Sequence, residues 1–404
     1  MFRIMLLAII SYFLFSCTNA TFSDVVKSEN DSTYSHKPLT DYTKEFYKTQ
    51  IQNTYNRLLA NGSFSGGILV AKNGEILFED YKGFANYASK TLLTRNTPIH
   101  IASVSKTFTA IAILQLMEKE KLYLDADVRN YLPNFPYSNI IVKNLLSHRS
   151  GLPNYVHLMD GRSVILTRKK NKRGKWVTYK KVVVINESND LVTNEKVLKF
   201  LVEKRPAIEA LPNKKFNYCN TNFALLALIV EKVSGQDFPT YVKEHIFNPL
   251  GMYNSYVFSF KDIVRYTPSY KYNFAAYGIE KLDCVYGDKN VYSTPSDLLL
   301  WDQALYNEKL VKKETLQLAF TPYSNERPGL HNYGLGFRLY TYLDKTIPYH
   351  NGWWHGNNAV FTRLVQDSAT IIVLGNKFNS KIYKTKELAN IFTQSAQSFI
   401  EEEQ

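Results

Sequence analysis

Ser103 and Lys106 combine the two side-chain types that a serine nucleophile and its base require. They belong to Ser103-Val104-Ser105-Lys106, the only S-x-x-K tetrad in the 404 residues of the chain. The apolar run at residues 108–117 predicts a buried helix behind them, and residues three apart on a helix share a face. A serine needs a base to remove its proton, and a lysine can act as one when desolvation or nearby cations lower its pKa. The alternative interpretation is a helix cap with an incidental lysine, because about one or two such tetrads arise by chance in a chain of this length.

Two further short motifs follow the tetrad along the chain. Tyr218-Cys219-Asn220 precedes a buried-helix pattern at residues 221–229, and His350-Asn351-Gly352 lies nearer the C-terminus. In this order the three motifs resemble the S-x-x-K, Y-x-N and K-x-G or H-x-G motifs of the penicillin-recognising, β-lactamase-related serine hydrolases. Segments 145–153, 248–252 and 291–298 also resemble this family, and the resemblance extends over about residues 50 to 398.

The resemblance implies a role for each residue of the three motifs. Ser103 would be the acylated nucleophile, and Lys106 would help to remove its proton. Tyr218 would act beside Lys106 as a base or proton relay. The backbone N–H groups of Ser103 and Trp353 would form the oxyanion hole, a preorganised donor pair of the kind that contributes strongly to catalysis. Asn220 would hydrogen-bond the acyl amide of the substrate. His350, on an edge strand, would stabilise or shuttle charge. Asn351 and Gly352 would be the other substrate-binding positions.

Asn351 departs from the family pattern, which usually has Thr or Ser at this position. An amide thus replaces a hydroxyl that would bind a substrate carboxylate, and His350 stands where many relatives have lysine. The resemblance then favours a small-molecule or peptidoglycan-derived substrate, an ester or a D-amino-acid amide or peptide. The alternatives are a penicillin-binding protein, D-Ala-D-Ala carboxypeptidase or β-lactamase, and a non-catalytic envelope-binding protein. Trp353 and Trp354 favour an apolar or sugar-bearing acyl group, or they simply pack the end of a strand.

The coarse pattern predicts one α/β (α+β) domain at residues 49–400, with the β-lactamase/transpeptidase-like architecture that the resemblance implies. Asn73-Gly74 between two apolar runs predicts a β-hairpin. An antiparallel sheet would be built from both chain ends and flanked by helices, with a helical region inserted at about residues 115–320. The motifs would then lie at the seam between the two regions, where clefts usually form. The predicted elements are strands at 66–71, 76–81, 333–340, 345–353, 360–366 and 369–375, and a closing helix at 390–400.

The N-terminus predicts export. An apolar stretch of about twelve residues follows Arg3, which matches a signal peptide and is too short to span a bilayer. It ends in Leu14-Phe15-Ser16-Cys17, which resembles a bacterial lipobox, so residues 1–16 would be removed and Cys17 lipidated. Residues 17–48 would form a flexible tether to the bacterial cell envelope, with the outer membrane expected. A plain secretory signal is the alternative.

A basic insertion at about residues 157–185 carries much of the net charge of +13. Nine Lys or Arg and one Asp lie between His157 and Lys181, in what looks like a hairpin. It would touch anionic lipid or a cell-wall polymer, or it is a solvated protruding loop.

Cysteine-protease, zinc and nucleic-acid functions are disfavoured. The local cysteine-protease signatures, H-E-x-x-H and paired C-x-x-C are all missing from the sequence. We therefore expect no metal, no cofactor and, for an exported lipoprotein, no nucleic acid. Cys219 is expected to be a buried free thiol, and His148 to be structural. The oligomeric state stays open.

Overall fold

A computed structural model of the chain describes residues 38–160, 162–170, 174–184, 190–326 and 329–392. The elements described belong to one compact unit that begins at Leu39. The predicted signal peptide and Cys17 lie outside the described residues, as do most of the predicted tether and most of the predicted closing helix. Within the described part of the chain, no helix is both long and apolar enough to cross a bilayer.

A seven-stranded antiparallel sheet is formed by the two ends of the chain. In spatial order its strands are β10, β11, β12, β13, β14, β1 and β2. This confirms the predicted sheet and the predicted hairpin, whose turn residues Asn73 and Gly74 both have positive φ, as a two-residue type I′ turn requires. The strand bounds are β1 Gly66–Lys72, β2 Glu75–Lys82, β10 His331–Tyr333, β11 Arg338–Thr341, β12 Thr346–Trp354, β13 Asn357–Leu364 and β14 Ala369–Gly375.

Both faces of this sheet are covered, because every residue of β13 and β14 is buried and a strand covered on both faces carries apolar residues on both. On one face lie α1 (Asp41–Tyr55) and a C-terminal 3₁₀ segment, Ser380–Ile391, in an apolar cluster that includes Ile51 and Ile382. The larger cluster on the other face joins the sheet to the helical region.

The helical region is organised around one buried helix. This helix, α2 (Ser105–Glu118), is buried without a break from Ser105 to Leu116, as its uniformly apolar sequence predicted. Phe108 stacks on Trp301 with 4.1 Å between ring centroids. The other helices are α3 Val142–Leu146, α4 Tyr155–Met159, α5 Asn194–Lys204, α6 Asn220–Ser234, α7 Phe238–Val242, α8 Asn248–Leu250, α9 Pro295–Ala304 and α10 Lys313–Ala319.

The smaller sheets lie outside the main one. The predicted basic hairpin is present as β6 (Arg162–Lys170) paired with β7 (Trp176–Val184). Short strands β3 (Phe84–Asn86) and β4 (Thr91–Leu92) pair with each other, and a three-stranded sheet has the order β5, β9, β8. The bounds of its strands are β5 Ile99–His100, β8 Tyr256–Val257 and β9 Val291–Ser293.

The prediction of one continuous strand over residues 333–340 was wrong. The chain instead breaks between β10 and β11, where Gly336 has a φ of 80°. A Cβ at Gly336 would lie 2.4 Å from the Cβ of Ala110 on α2, and the Gly336 N–H donates to the carbonyl of Leu146 at 3.0 Å. The backbone therefore leaves the strand conformation to pack directly on the buried helix.

Candidate active site

Ser103 lies in a tight 3₁₀ turn, Ala102–Val104, immediately before α2. Ala102 has a φ of 48°, a left-handed conformation that is uncommon for a residue with a Cβ. Its N–H is held by the Nδ1 atom of His100 at 3.2 Å. Backbone strain of this kind clusters at active sites, and here it sets the position of Ser103 at the mouth of the helix.

Lys106 has a fully buried side chain that points at Ser103. Its Nζ atom donates to Ser103 Oγ at 3.1 Å, to Asn220 Oδ1 at 2.9 Å and to the backbone carbonyl of Asp288 at 2.7 Å. These three acceptors match the three donors of an ammonium group. The tetrad and the second motif, separated by more than a hundred residues of sequence, therefore meet at one nitrogen atom.

Tyr218 lies beside this nitrogen through its ring. The Nζ atom of Lys106 is 5.0 Å from the Tyr218 ring centroid, and the guanidinium carbon of Arg338 is 4.9 Å from the same centroid. The Tyr218 side chain is only partly buried. Two cations therefore flank the aromatic ring that the second motif supplies, each within cation–π distance.

His350 is fully buried, with both ring nitrogens occupied. Nδ1 lies 2.7 Å from the Asn351 carbonyl, and Nε2 lies 3.1 Å from the hydroxyl of Tyr333. Since a carbonyl only accepts, Nδ1 carries the proton and Nε2 accepts from Tyr333. Burial, with Arg338 and Lys106 nearby, holds the pKa of His350 well below its usual value. The imidazole is therefore neutral at pH 7.

Strand β12 is not an edge strand along its whole length. Its first half pairs with β11, and it pairs with β13 from Tyr349 to Trp354. The expectation of an edge strand therefore holds only for the half that begins at His350, where β13 is the single partner among the described residues.

Gly352 brings β12 against the turn that carries Ser103. A Cβ at this position would lie 2.3 Å from the Ile101 carbonyl oxygen and 3.1 Å from the Ser103 backbone nitrogen. Only glycine allows this approach of two backbones. Asn351 is partly buried next to it, and Trp353, which follows, is 65% exposed. The third motif thus lies beside the first.

A family model described as Beta-lactamase matches residues 51–392. The chain belongs to this family.

Named relatives of this Beta-lactamase family member span most of its length. Penicillin-binding protein 4* of Bacillus subtilis (strain 168) is 30% identical over 362 residues, which are 84% of this chain and 74% of that protein. Teichoic acid D-alanine hydrolase of Staphylococcus aureus (strain MRSA252) is 25% identical over 345 residues, 83% of this chain and 76% of that protein. The crystal structure of a penicillin-binding protein from Bacillus halodurans shares the fold, with a TM-score of 0.69 and 24% identity over 85% of this chain and 99% of the other.

A buried polar cluster behind Lys106 went unrecognised in the sequence. Lys289 Nζ donates to the Tyr155 hydroxyl at 2.6 Å, and that hydroxyl donates to Asp288 Oδ2 at 2.9 Å. Burial lowers the pKa of Lys289, with the Asp288 carboxylate opposing that shift. The cluster fixes the Asp288 backbone whose carbonyl holds Lys106. A backbone acceptor has no sequence signature, so no motif could have identified it.

His148 is buried against the second motif, as predicted for a structural residue. Its Nδ1 atom accepts from the Cys219 N–H at 3.2 Å, and its ring lies 4.2 Å from the Tyr218 ring, centroid to centroid. Burial and the nearby cations Lys106 and Arg338 hold the His148 pKa well below its usual value. A neutral acceptor here fixes the backbone that presents Tyr218.

The two cysteines of the described chain are unpaired. Cys219 and Cys284 are both buried and free, which confirms the prediction for Cys219. Burial raises the pKa of the Cys219 thiol to about 11, so it remains protonated and inert as a nucleophile at neutral pH. The described residues also contain no group of three His, Cys, Asp or Glu side chains arranged to hold a metal ion.

Proposed function

We propose that the protein is a serine hydrolase that forms an acyl-enzyme on Ser103 and hydrolyses an ester or a D-amino-acid amide or peptide. The observation that carries this proposal is the Nζ atom of Lys106, which lies 3.1 Å from Ser103 Oγ and 2.9 Å from Asn220 Oδ1. A serine hydroxyl within hydrogen-bond reach of a buried amine meets the first requirement of covalent acyl transfer, which is a nucleophile next to its base. Residues 49–400 would form the hydrolase domain.

In the acylation step, Ser103 Oγ attacks the carbonyl carbon of the substrate and gives its proton to Lys106, directly or through Tyr218. Since the three acceptors around Nζ fit an ammonium group, Lys106 must first lose one of its protons before it can accept the proton of Ser103. The oxyanion of the tetrahedral intermediate would lie against the backbone N–H groups of Ser103 and Trp353, which Gly352 allows to approach each other. Lys106 and Tyr218 then return the proton to the leaving alcohol or amine as the carbon–leaving-group bond breaks.

In the deacylation step, water attacks the acyl carbon and loses one proton to the Lys106–Tyr218 pair. Ser103 regains that proton as its ester bond breaks, and the acid product leaves. Asn220 would orient the acyl part of the substrate through its amide. His350 would take no part in proton transfer, because it is neutral and both of its ring nitrogens are hydrogen-bonded within the protein.

The substrate class is proposed from the named relatives and from Asn351, whose amide replaces the hydroxyl that would bind a substrate carboxylate. One relative is named for hydrolysis of D-alanine from teichoic acid, and another is named as a penicillin-binding protein. A penicillin-binding, D-Ala-D-Ala carboxypeptidase or β-lactamase function is the second candidate, supported by that second name. The third candidate is a non-catalytic envelope-binding protein. The contact between Ser103 and Lys106 disfavours it, because binding alone needs no activated nucleophile.

We further propose that the protein acts at the bacterial cell envelope, exported and attached to a membrane through a lipid on Cys17. The support is the resemblance of Leu14-Phe15-Ser16-Cys17 to a lipobox after a short apolar stretch.

Substitution of the nucleophile tests the enzymatic proposal. Ser103→Ala removes the atom that bonds to the substrate, so turnover should fall by roughly 10⁴-fold or more. Labelling by a fluorophosphonate probe should disappear. The matched control is Ser89→Ala, at an exposed serine on the surface, which should be labelled like the wild type. Wild-type turnover by the Ser103→Ala protein would overturn the assignment.

A substrate panel separates the candidates. We expect p-nitrophenyl esters and D-amino-acid anilides to be hydrolysed by the wild type and a chromogenic cephalosporin to be a poor substrate. Efficient cephalosporin hydrolysis would favour the second candidate. Inertness towards every substrate and towards fluorophosphonate would favour the third.

A further inference from the structure

Tyr383 contacts the third motif from the face of the main sheet opposite to Ser103. It belongs to the 3₁₀ segment Ser380–Ile391 and packs against the apolar cluster that this segment shares with α1. Two neighbours of Ser103, Ile101 and Val104, belong to the larger cluster on the other face. The Tyr383 hydroxyl reaches the backbone of β12, where it lies 2.8 Å from the Gly352 carbonyl oxygen.

The direction of each hydrogen bond around Tyr383 is fixed by its partners. The backbone N–H of Asn379 can only donate, and it bonds Asn358 Oδ1 at 2.9 Å. The other end of that amide, Nδ2, therefore faces Tyr383 and donates to its hydroxyl at 2.8 Å. Burial raises the pKa of Tyr383, so the hydroxyl keeps its proton and donates it to the Gly352 carbonyl. The result is a directed chain of hydrogen bonds from Asn379 to Gly352.

The peptide at the end of this chain also carries the Trp353 N–H. The Gly352 carbonyl and the Trp353 N–H belong to one planar group, in which a trans bond points them in opposite directions. A donor at the oxygen therefore restrains the direction of the N–H. It also draws electron density away from the nitrogen, and hydrogen bonds in series strengthen one another in this way.

We propose that Tyr383 is a positioning residue of the oxyanion hole, because its hydroxyl orients and polarises the peptide that carries the Trp353 N–H. Tyr383 does not touch the substrate and acts only through this peptide. The proposal rests on the proposed hydrolase function, in which the N–H groups of Ser103 and Trp353 bind the oxyanion. Since the oxygen of the substrate gains its charge in the transition state, Tyr383 should favour the transition state over the bound substrate.

Removal of one hydroxyl tests this role. In Tyr383→Phe, kcat for a p-nitrophenyl ester should fall roughly 3- to 30-fold, the scale of one hydrogen bond. The loss should be smaller than the roughly 10²- to 10³-fold loss expected when an oxyanion-hole donor itself is removed. KM should change little, because the bound substrate carries little charge on its carbonyl oxygen.

Tyr55→Phe is the matched control. The Tyr55 hydroxyl donates to Asp80 Oδ2 at 2.6 Å, and Tyr55 lies in the same apolar cluster. Both variants thus lose one hydroxyl and one hydrogen bond from that cluster. Tyr55→Phe should lower thermal stability and keep wild-type kcat, which separates loss of stability from loss of catalysis.

The infrared band of the acyl carbonyl reports the oxyanion hole directly. An acyl-enzyme made from a slowly hydrolysed, carbonyl-labelled ester should absorb at higher frequency in Tyr383→Phe than in the wild type, because weaker donors polarise the carbonyl less. A ring-fluorinated tyrosine at position 383 is a stronger donor and keeps the shape of the side chain. It should shift the band to lower frequency and preserve turnover. This variant carries the test if Tyr383→Phe does not fold.

Three results would overturn the role of Tyr383 and leave the hydrolase assignment standing. One is wild-type kcat in Tyr383→Phe. Another is an equal fall of kcat in Tyr383→Phe and Tyr55→Phe, which would indicate a general effect of stability. The third is a carbonyl band that the fluorinated tyrosine does not move. Absence of turnover and of fluorophosphonate labelling in the wild type would instead count against the proposed function.

Discussion

We propose that Lys106 and Tyr218 act as one proton-transfer unit. The Nζ atom of Lys106 contacts Ser103 Oγ, the Asn220 amide and the Asp288 carbonyl, and it lies over the Tyr218 ring. Removing either residue leaves the other without the neighbour that its role requires. Residues that act together in this way lose activity in a strongly non-additive manner.

The prediction at the scale of residues follows from this coupling. Lys106→Ala and Tyr218→Phe should each lower the acylation rate by roughly 10²- to 10⁴-fold, the usual contribution of a positioned acid or base. The double variant should be little worse than the worse single variant. Single-turnover kinetics with a chromogenic ester measure all three rates, and the exposed Lys119→Ala is the control. Losses that multiply in the double variant would show that the two residues act independently.

The spacing in the sequence predicted that the Ser103 and Lys106 side chains meet, as they do, but it did not predict the residues that surround them. Ser103 and Lys106 lie on one helical turn, so their spacing alone predicts that they meet. Arg338 lies on β11, which pairs with β12, and Tyr218 lies just before α6. The tertiary fold brings the two side chains together, and no local sequence pattern encodes such a long-range contact. The burial of His350 behind Tyr333 was missed for the same reason.

At the scale of elements, strands with local signals were predicted well. The β1–β2 hairpin has Asn73-Gly74 at its turn, and residues 369–375 were predicted with the bounds that β14 has. The prediction of one strand at residues 333–340 was wrong because Gly334 and Gly336 are not strand residues. Both lack the room for a Cβ in this packing, and such close approaches depend on the tertiary fold.

The β6–β7 hairpin is an element with no strand partner but itself among the described residues. Near its turn, Trp176 is 58% exposed. Arg168 and Lys170 lie 5.7 and 5.5 Å from the Trp176 ring centroid. An amphipathic ring surrounded by cations suits contact with an anionic surface.

Deletion of the hairpin is the prediction at this scale. Replacing residues 162–184 with a short Gly-Ser linker should leave kcat/KM for a small ester within a few-fold, because none of the catalytic motifs lies in the hairpin. Binding to vesicles that contain anionic lipid should weaken, and the wild-type binding should fall with salt. Trp176→Ala in the intact hairpin is the milder companion variant. A folded deletion protein without any esterase activity would show that the hairpin builds the site.

At the scale of the whole molecule, the basic charge is concentrated rather than spread. Residues 157–181 contain nine Lys or Arg and one Asp, within a chain whose net charge is +13. Attachment through Cys17 would add a second, independent contact with a membrane. A diacylglycerol group on Cys17 would carry two acyl chains, and a basic patch adds electrostatic attraction to anionic lipid, so the two contributions to membrane binding would add.

The last prediction concerns this attachment. If Cys17 carries a lipid, the wild type should fractionate with membranes and its N-terminal peptide should carry the mass of a diacylglycerol group. Cys17→Ser should release the protein or block removal of residues 1–16. The matched control is Cys284→Ser, which changes a buried free thiol in the folded part of the chain and should fractionate like the wild type. Because twenty residues extend at most about 70 Å, segment 18–37 would confine the active site of an anchored enzyme to the space next to the membrane. A wild-type protein recovered wholly in the soluble fraction and cleaved at another residue would contradict the attachment.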